Sequence, residues 1–145
     1  NRVLNSDLTN IESMTQNLTV VHYRLGDLLS LPGKPPLSEE RFKTLKLSTH
    51  RQVLVLSDSP KEAKRRLEKQ LPHGSSFPEN LNPWEVIGHI IRCDIFIGTP
   101  SKISAWGIAF RSIIYPTKKS YLPREYRNLL RAFQGDSFIL NVEYF

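Results

Sequence analysis

Three short apolar runs in this chain each end in groups able to handle a charged ligand. Thr19-Val20-Val21 leads into His22, Tyr23, Arg24, Leu25, Gly26 and Asp27. Val53-Leu54-Val55-Leu56 leads into Ser57, Asp58 and Ser59, and Ile95-Phe96-Ile97-Gly98 leads into Thr99, Pro100, Ser101, Lys102, Ile103 and Ser104. A guanidinium is planar, permanently charged and able to grip two oxygens at once, so Arg24 reads as a candidate phosphate clamp. Ser101 and Ser104 open a segment with helical spacing, and a helix N-terminus favours anions; Lys102 adds a charge there. Asp58 supplies a carboxylate acceptor. A nucleoside diphosphate fits this inventory, since three or four charged hydrogen bonds of roughly 1.5–3 kcal/mol each would hold a ligand at micromolar levels.

Each of these residues also has an ordinary structural role open to it. A strand-end His or Asp commonly caps a turn or bonds to nearby backbone. Ser57-Asp58-Ser59-Pro60 is capping chemistry for a following helix. Lys102 could be merely solvated at a helix start, and Trp106, sharing a face with Ile103, Ala109 and Phe110, is expected in the core.

The elements that must carry these clusters follow from period and punctuation. Residues 4–16 suit an amphipathic helix and residues 18–23 a strand. After the break at Gly33-Lys34-Pro35-Pro36, Ser38 caps a helix expected to reach about Leu47. Residues 52–56 form a second strand, residues 61–70 a charged helix with an exposed face, and residues 73–83 a loop. A helix over residues 84–92 follows, with Pro83 suited to its first turn. The third strand, 94–98, feeds a helix over 103–110, and Ser112-Ile113-Ile114-Tyr115 reads as a fourth strand. Pro116 and Pro123 then bracket a basic loop, residues 124–133 form a last helix, and Phe138-Ile139-Leu140 closes the sheet. Strands alternating with helices at this spacing predict an α/β fold: a Rossmann-like, mostly parallel sheet with helices on both faces, joined by right-handed crossovers. With 145 residues and no linker-like tract, one domain is expected.

Composition narrows the partners. Twenty Lys and Arg against 14 Asp and Glu give a net charge of +6, which favours anionic ligands. The chain has no apolar run of 18 residues and opens on no basic-then-apolar leader, so a soluble chain without a membrane segment is expected. A single cysteine, Cys93, permits no internal disulfide and reads as a small buried residue. Asn17-Leu18-Thr19 formally matches a glycosylation acceptor, a match short enough to arise by chance. The histidines at 22, 50, 73 and 89 lack metal-site spacing, so no metal and no resident cofactor is expected. No P-loop, dinucleotide fingerprint or nucleophile elbow is present. Basic residues do not interleave with aromatics as in a nucleic-acid groove, which leaves a noncatalytic basic module for nucleic acid or acidic proteins as the weaker alternative.

Taken in order, the three clusters resemble the donor-binding half of the fucosyltransferase superfamily that includes alpha-1,2-, alpha-1,6- and protein O-fucosyltransferases. His22-Tyr23-Arg24-Leu25-Gly26-Asp27 is similar to the family's H-x-R-x-G-D motif, whose arginine contacts the diphosphate of GDP-fucose. Val53 through Ser59 resembles the apolar strand entering Ser-Asp, whose acidic residue is associated with guanine. Cys93 through Trp106 resembles the third motif, in which serines at a helix start reach the phosphates. The likeness covers roughly residues 18–115. It implies a GT-B glycosyltransferase, of which this chain would be the nucleotide-sugar domain, with an N-terminal acceptor domain expected before residue 1. It further implies metal-independent, inverting transfer of fucose to a glycan or protein hydroxyl. Arg24 would be the catalytic residue, and His22, Arg24, Gly26, Asp27, Ser57, Asp58, Ser101, Lys102 and Ser104 would bind the donor. Another nucleotide sugar is the alternative donor. Leu25 stands where many alpha-1,2 and alpha-1,6 members carry a second arginine, Ser59 replaces a common second Asp, and Lys102 replaces a small hydroxyl residue. Lys102 is therefore expected to restore part of the charge that Leu25 lacks. The resemblance leaves the compartment open: cytoplasmic for a bacterial member, Golgi or ER lumen for a eukaryotic one.

Overall fold

The computed structural model describes residues 17–45, 47, 50–133 and 141–145. The helix expected over residues 4–16 and the strand expected at residues 138–140 lie outside them. Five strands form one sheet: β1 (Leu18–His22), β2 (Gln52–Leu56), β3 (Ile95–Ile97), β4 (Ser120–Leu122) and β5 (Val142–Tyr144). Their spatial order is β2-β1-β3-β4-β5 and every neighbouring pair is parallel. Val20 pairs with Leu54 and Phe96, and Val21 with Val55 and Ile97, which sets the register of the central strands.

A parallel sheet buried on both faces needs apolar side chains at successive positions, which is why its strands read as continuous apolar runs. Alternation sends Val21, Val53, Val55 and Ile97 to one face, where they meet Phe42 of α1 (Glu40–Lys43) and Ala63 and Leu67 of α2 (Pro60–Leu67). Val20, Leu56, Phe96 and Leu122 go to the other. There they meet Ile90 of α3 (Pro83–Arg92), Ala105 and Ile108 of α4 (Lys102–Ile114), and Leu130 of the 3₁₀ segment Arg124–Phe133. The α/β Rossmann-like architecture with helices on both faces is thus the one the sequence predicts.

The chain passes from β1 to β2, then crosses back over β1 to reach β3. In doubly wound sheets of this order, ligands occupy the crevice beyond the carboxyl ends of the strands where the direction reverses, here between β1 and β3. Residues following β2 also reach that rim. Val55 N donates to Ser76 O (2.8 Å) and Ser76 N to Val53 O (2.9 Å), so this short stretch runs parallel to β2, covers its free edge and carries Glu79, Asn80 and Leu81 upward. Asn82 then caps α3: its Oδ1 accepts from the amides of Trp84 and Glu85, both at 3.0 Å, while Glu85 accepts from Asn82 N, with Pro83 in the first turn.

Several expected elements are corrected. Residues 112–114 are the last turn of α4 and Tyr115 its C-cap, not a fourth strand. Isoleucine pairs favour strands, but Ser112 continues the buried side of the helix through Ala105, Ile108 and Arg111, and tertiary packing overrides propensity. The fourth strand is Ser120–Leu122, inside the stretch read as a basic loop. The helix expected to reach Leu47 is the single turn Glu40–Lys43, closed as Thr44 Oγ1 donates to Arg41 O at 2.7 Å. Residues 124–133 are 3₁₀ rather than α-helical, with Tyr126 breaking the helical conformation. Cys93 is buried as expected, and burial pushes its thiol up to about 11. Among the described residues no helix is long and apolar enough to cross a membrane.

Candidate functional site

The three clusters do converge on the carboxyl edge of the sheet, and they are tied to one another there. Thr99 Oγ1 donates to His22 O and accepts from Arg24 N, both at 2.9 Å, which joins the end of β1 to the end of β3. Asp58 Oδ1 accepts from the amides of Leu25 and Gly26, each at 3.0 Å, which joins the turn after β2 to the loop after β1. Tyr23, buried edge-on against Phe42, anchors the far side of that loop by donating to Leu37 O at 2.7 Å.

Arg24 stands on this frame with its side chain about a third exposed. Its Nε and Nη2 meet the two Asp27 carboxylate oxygens at 3.1 and 2.6 Å in a forked pair, and Nη1 approaches Pro100 O at 3.5 Å. Of the five guanidinium N–H groups two remain for another acceptor. Asp27 orients the arginine, and the arginine in turn holds the Asp27 carboxyl below its ordinary value. Lys102, at the first position of α4, is exposed and has no ion-pair partner among the described residues. Two cations, Arg24 after β1 and Lys102 after β3, thus stand at the carboxyl edge of the sheet, Lys102 in the first turn of a 13-residue helix.

His22, Ser101 and Ser104 lie behind this rim. His22 Nδ1 is 2.8 Å from Ser104 Oγ and 3.2 Å from Ser101 Oγ, and Ser101 caps α4 by accepting from Ser104 N at 2.9 Å. All three are buried. Burial lowers the His22 pKa to about 4, Asp58 opposing and the Arg24 charge assisting, so the imidazole is neutral at physiological pH. These hydroxyls and the imidazole fix the helix against β1; they are placed to position the crevice rather than to line it.

Asp58 does not cap the following helix, contrary to the capping role open to it. Ser59 is the N-cap of α2 without a side-chain bond, and Ser57 Oγ accepts from Ser59 N at 3.1 Å. Asp58 and Ser57 instead line a cavity of about 540 Å³ whose other wall includes Glu79, Asn80 and Leu81. Reasoning on strand ends alone missed these three residues, because nothing in a polar loop announces that it will pair along β2. Gly26 is explained by close approach: a Cβ there would sit 2.2 Å from Asp58 Oδ2. Gly26→Ala is expected to expel Asp58 from the Leu25 and Gly26 amides and to destabilise by about 1–3 kcal/mol in urea unfolding. Asp58→Ala should do much the same, and the double variant should lose little more than either single one.

Leu25, the position at which the sequence departs from the resembled motif, is fully buried among Val21, Tyr23, Leu37 and Phe42. An arginine side chain has no room at that point of this core. Trp106 corrects an expectation in the opposite direction. It is about half exposed and stacks on Phe110 at 5.6 Å, because the inward face of α4 is formed by Ser104, Ala105, Ile108, Arg111 and Ser112. Among the described residues no group of three or more His, Cys, Asp or Glu side chains could hold a metal ion. Comparisons of the chain with family models, with curated proteins and with solved structures found no match.

Proposed function

We propose that the chain is the donor-binding domain of a glycosyltransferase of the fucosyltransferase type, holding GDP-fucose by its diphosphate in the crevice between β1 and β3. The observation that carries this reading is the placement of Arg24 and Lys102. Both stand at the point where the strand order reverses, one on each side, beside the N-terminus of α4. The cavity bounded by Asp58, Glu79 and Asn80 extends from the same edge and gives the nucleoside a place to lie.

On this reading an acceptor hydroxyl attacks the anomeric carbon of fucose as the bond from that carbon to the diphosphate oxygen breaks, inverting the centre. The bonding electron pair leaves with GDP. Arg24 and Lys102 meet the charge that grows on the departing diphosphate, and they accelerate the step only so far as those contacts strengthen in the transition state. Asp27 holds the guanidinium in place. His22, Ser101, Ser104, Ser57 and Asp58 keep the loops that carry the cations in register, and the acceptor comes with a partner domain.

Thermal-shift titration separates this from its alternatives. GDP and GDP-fucose should raise Tm, UDP and ADP less so. Arg24→Ala should weaken GDP binding by about 10- to 100-fold, and Lys102→Ala by about 10-fold, since each removes one charged contact of roughly 1.5–3 kcal/mol. Equal stabilisation by all three diphosphates would move the donor assignment. Absence of any nucleotide effect, together with salt-sensitive binding to DNA, would replace it with the nucleic-acid module. An unchanged GDP affinity in Lys102→Ala would end the idea that this residue supplies charge to the diphosphate.

A further inference from the structure

The cavity beyond β2 carries two charged groups that the fold itself does not use. Residues 57–62, which lead into α2, form one of its walls, and residues 79–81, which precede α3, form the other. Two of its three acids are engaged elsewhere. Glu62 is held by Arg65 and Arg66, and Asp58 is turned into the frame, with Oδ1 on the Leu25 and Gly26 amides and Oδ2 against Gly26. Glu79 and Lys61 are different: both are exposed, and among the described residues neither side chain has an ion pair or a hydrogen bond. They do not pair with each other, which leaves space for a ligand between them. We infer that these two side chains read the base of the bound nucleotide and select guanine, Glu79 accepting from N1–H and the N2 amine and Lys61 donating to O6. The inference rests on the proposal that Arg24 and Lys102 hold the diphosphate.

Size, position and chemistry each favour this base. The cavity, about 540 Å³, falls within the span usual for small-molecule sites, roughly 300–1,000 Å³, and Pro60 and Leu81 supply apolar surface for the faces of a ring. Asp58 lines the cavity and also bonds the amides of Leu25 and Gly26, the two residues that follow Arg24, so a nucleoside held at the clamp has the cavity next to it. Guanine sets one acceptor, O6, beside two donors, N1–H and the N2 amine. A carboxylate offers two acceptor oxygens and an ammonium only donors, which matches that edge group for group. Adenine presents an unprotonated ring nitrogen at the same place, and the Glu79 carboxylate would meet its lone pair. Uracil offers a single N–H between two carbonyls. The resemblance associates guanine with Asp58, but here one oxygen of that carboxylate serves two amides and the other lies against Gly26, whereas Glu79 is the free acid on the facing wall. Charged hydrogen bonds cost most when one partner is missing, so such a pair separates bases sharply.

The test titrates the whole 145-residue chain with GDP, inosine diphosphate, ADP and pyrophosphate by calorimetry. Inosine diphosphate is GDP without the N2 amine. The parent chain should bind GDP about tenfold or more tighter than inosine diphosphate, and Glu79→Ala should bring the two affinities to within about twofold of each other. Because both ligands carry the same charge, their ratio is indifferent to the general effect of removing an acid. Lys61→Met should weaken both by about tenfold and leave the ratio as it was. Both side chains are exposed and unbonded among the described residues, so both variants should unfold at the parent's Tm. A GDP preference that survives Glu79→Ala, equal affinities for GDP and inosine diphosphate in the parent chain, or tighter binding of ADP would overturn the inference. If pyrophosphate still binds in that case, and binds no longer in Arg24→Ala, the diphosphate clamp stands and the base reader alone has failed. A parent chain that binds neither GDP nor pyrophosphate would overturn both.

Discussion

Replacing Arg111 with methionine is expected to destabilise the fold by about 3–5 kcal/mol, measured by urea unfolding, although methionine has nearly the same length and is more apolar. Arg111 is fully buried in α4. Its guanidinium donates to the carbonyls of Ile90 and Ile91 at 3.2 Å each, of Cys93, of Asp94 at 2.5 Å and of Lys119 at 3.0 Å, and to Ser120 Oγ at 3.1 Å. The last carbonyls of a helix need partners from outside it. α3 has no glycine turn to supply them, because Cys93 is already extended and the chain enters β3 two residues later. Arg111 fills that role and also reaches the residues entering β4. Burial lowers its pKa, but the surrounding carbonyl dipoles and the negative end of α3 favour the cation. Methionine would remove every donor at once and leave several buried acceptors unmatched. Arg111→Lys keeps a charge with only three donors and should recover part of the loss. A loss below about 1 kcal/mol for Arg111→Met would mean that water reaches those carbonyls.

Arg111 also shows what the sequence conceals. The strand ends were legible because apolar runs stopping at His22, Ser57 and Thr99 are a direct consequence of a parallel sheet buried on both faces. That reading also placed the three clusters on one edge, where they are found. The division of labour within them was not legible. His22, Ser101 and Ser104 are polar groups at the same strand ends as Arg24 and Lys102, but they face inward, and facing is set by a neighbouring element rather than by residue type. Asp58 serves two amides 32 and 33 residues away, a contact that only the crossover from β1 to β2 creates. An arginine within Ile108-Ala109-Phe110-Arg111-Ser112 contradicts its apolar setting, and that contradiction was the one available sign of its burial. The misplaced fourth strand has a similar origin. Ile113 and Ile114 have strand propensity, whereas Ser120–Leu122 is only three residues long and adjoins two lysines, too short for periodicity to register.

The second large effect concerns His22 and acid. With a folded-state pKa of about 4 against 6.5 for an ordinary histidine, His22 stays neutral in the native chain over a range in which the unfolded chain binds a proton. Stability therefore rises with pH across that window. The contribution is complete above pH 6.5, declines as pH falls, and is gone at about pH 4; the 2.5-unit separation corresponds to roughly 3 kcal/mol. The physical cause is burial first; Asp58 opposes it by favouring the imidazolium, and Arg24 adds to it. Protonation would also make both ring nitrogens donors, and Nδ1 sits between two hydroxyls, Ser101 and Ser104, the first of which caps α4. His22→Gln keeps a polar group there and removes the titration. Its stability should thus vary less between pH 6.5 and 4 than that of the parent chain, the difference approaching roughly 3 kcal/mol. His89 is also shifted down by burial, and Arg65 and Arg66 hold the Glu62 carboxyl down to about 2; both groups are common to the two chains, so the comparison isolates His22. Parallel stability curves for the two chains would show that the imidazole accepts its proton without opening the joint between β1 and α4, and that the crevice behind Arg24 is looser than its hydrogen bonds imply.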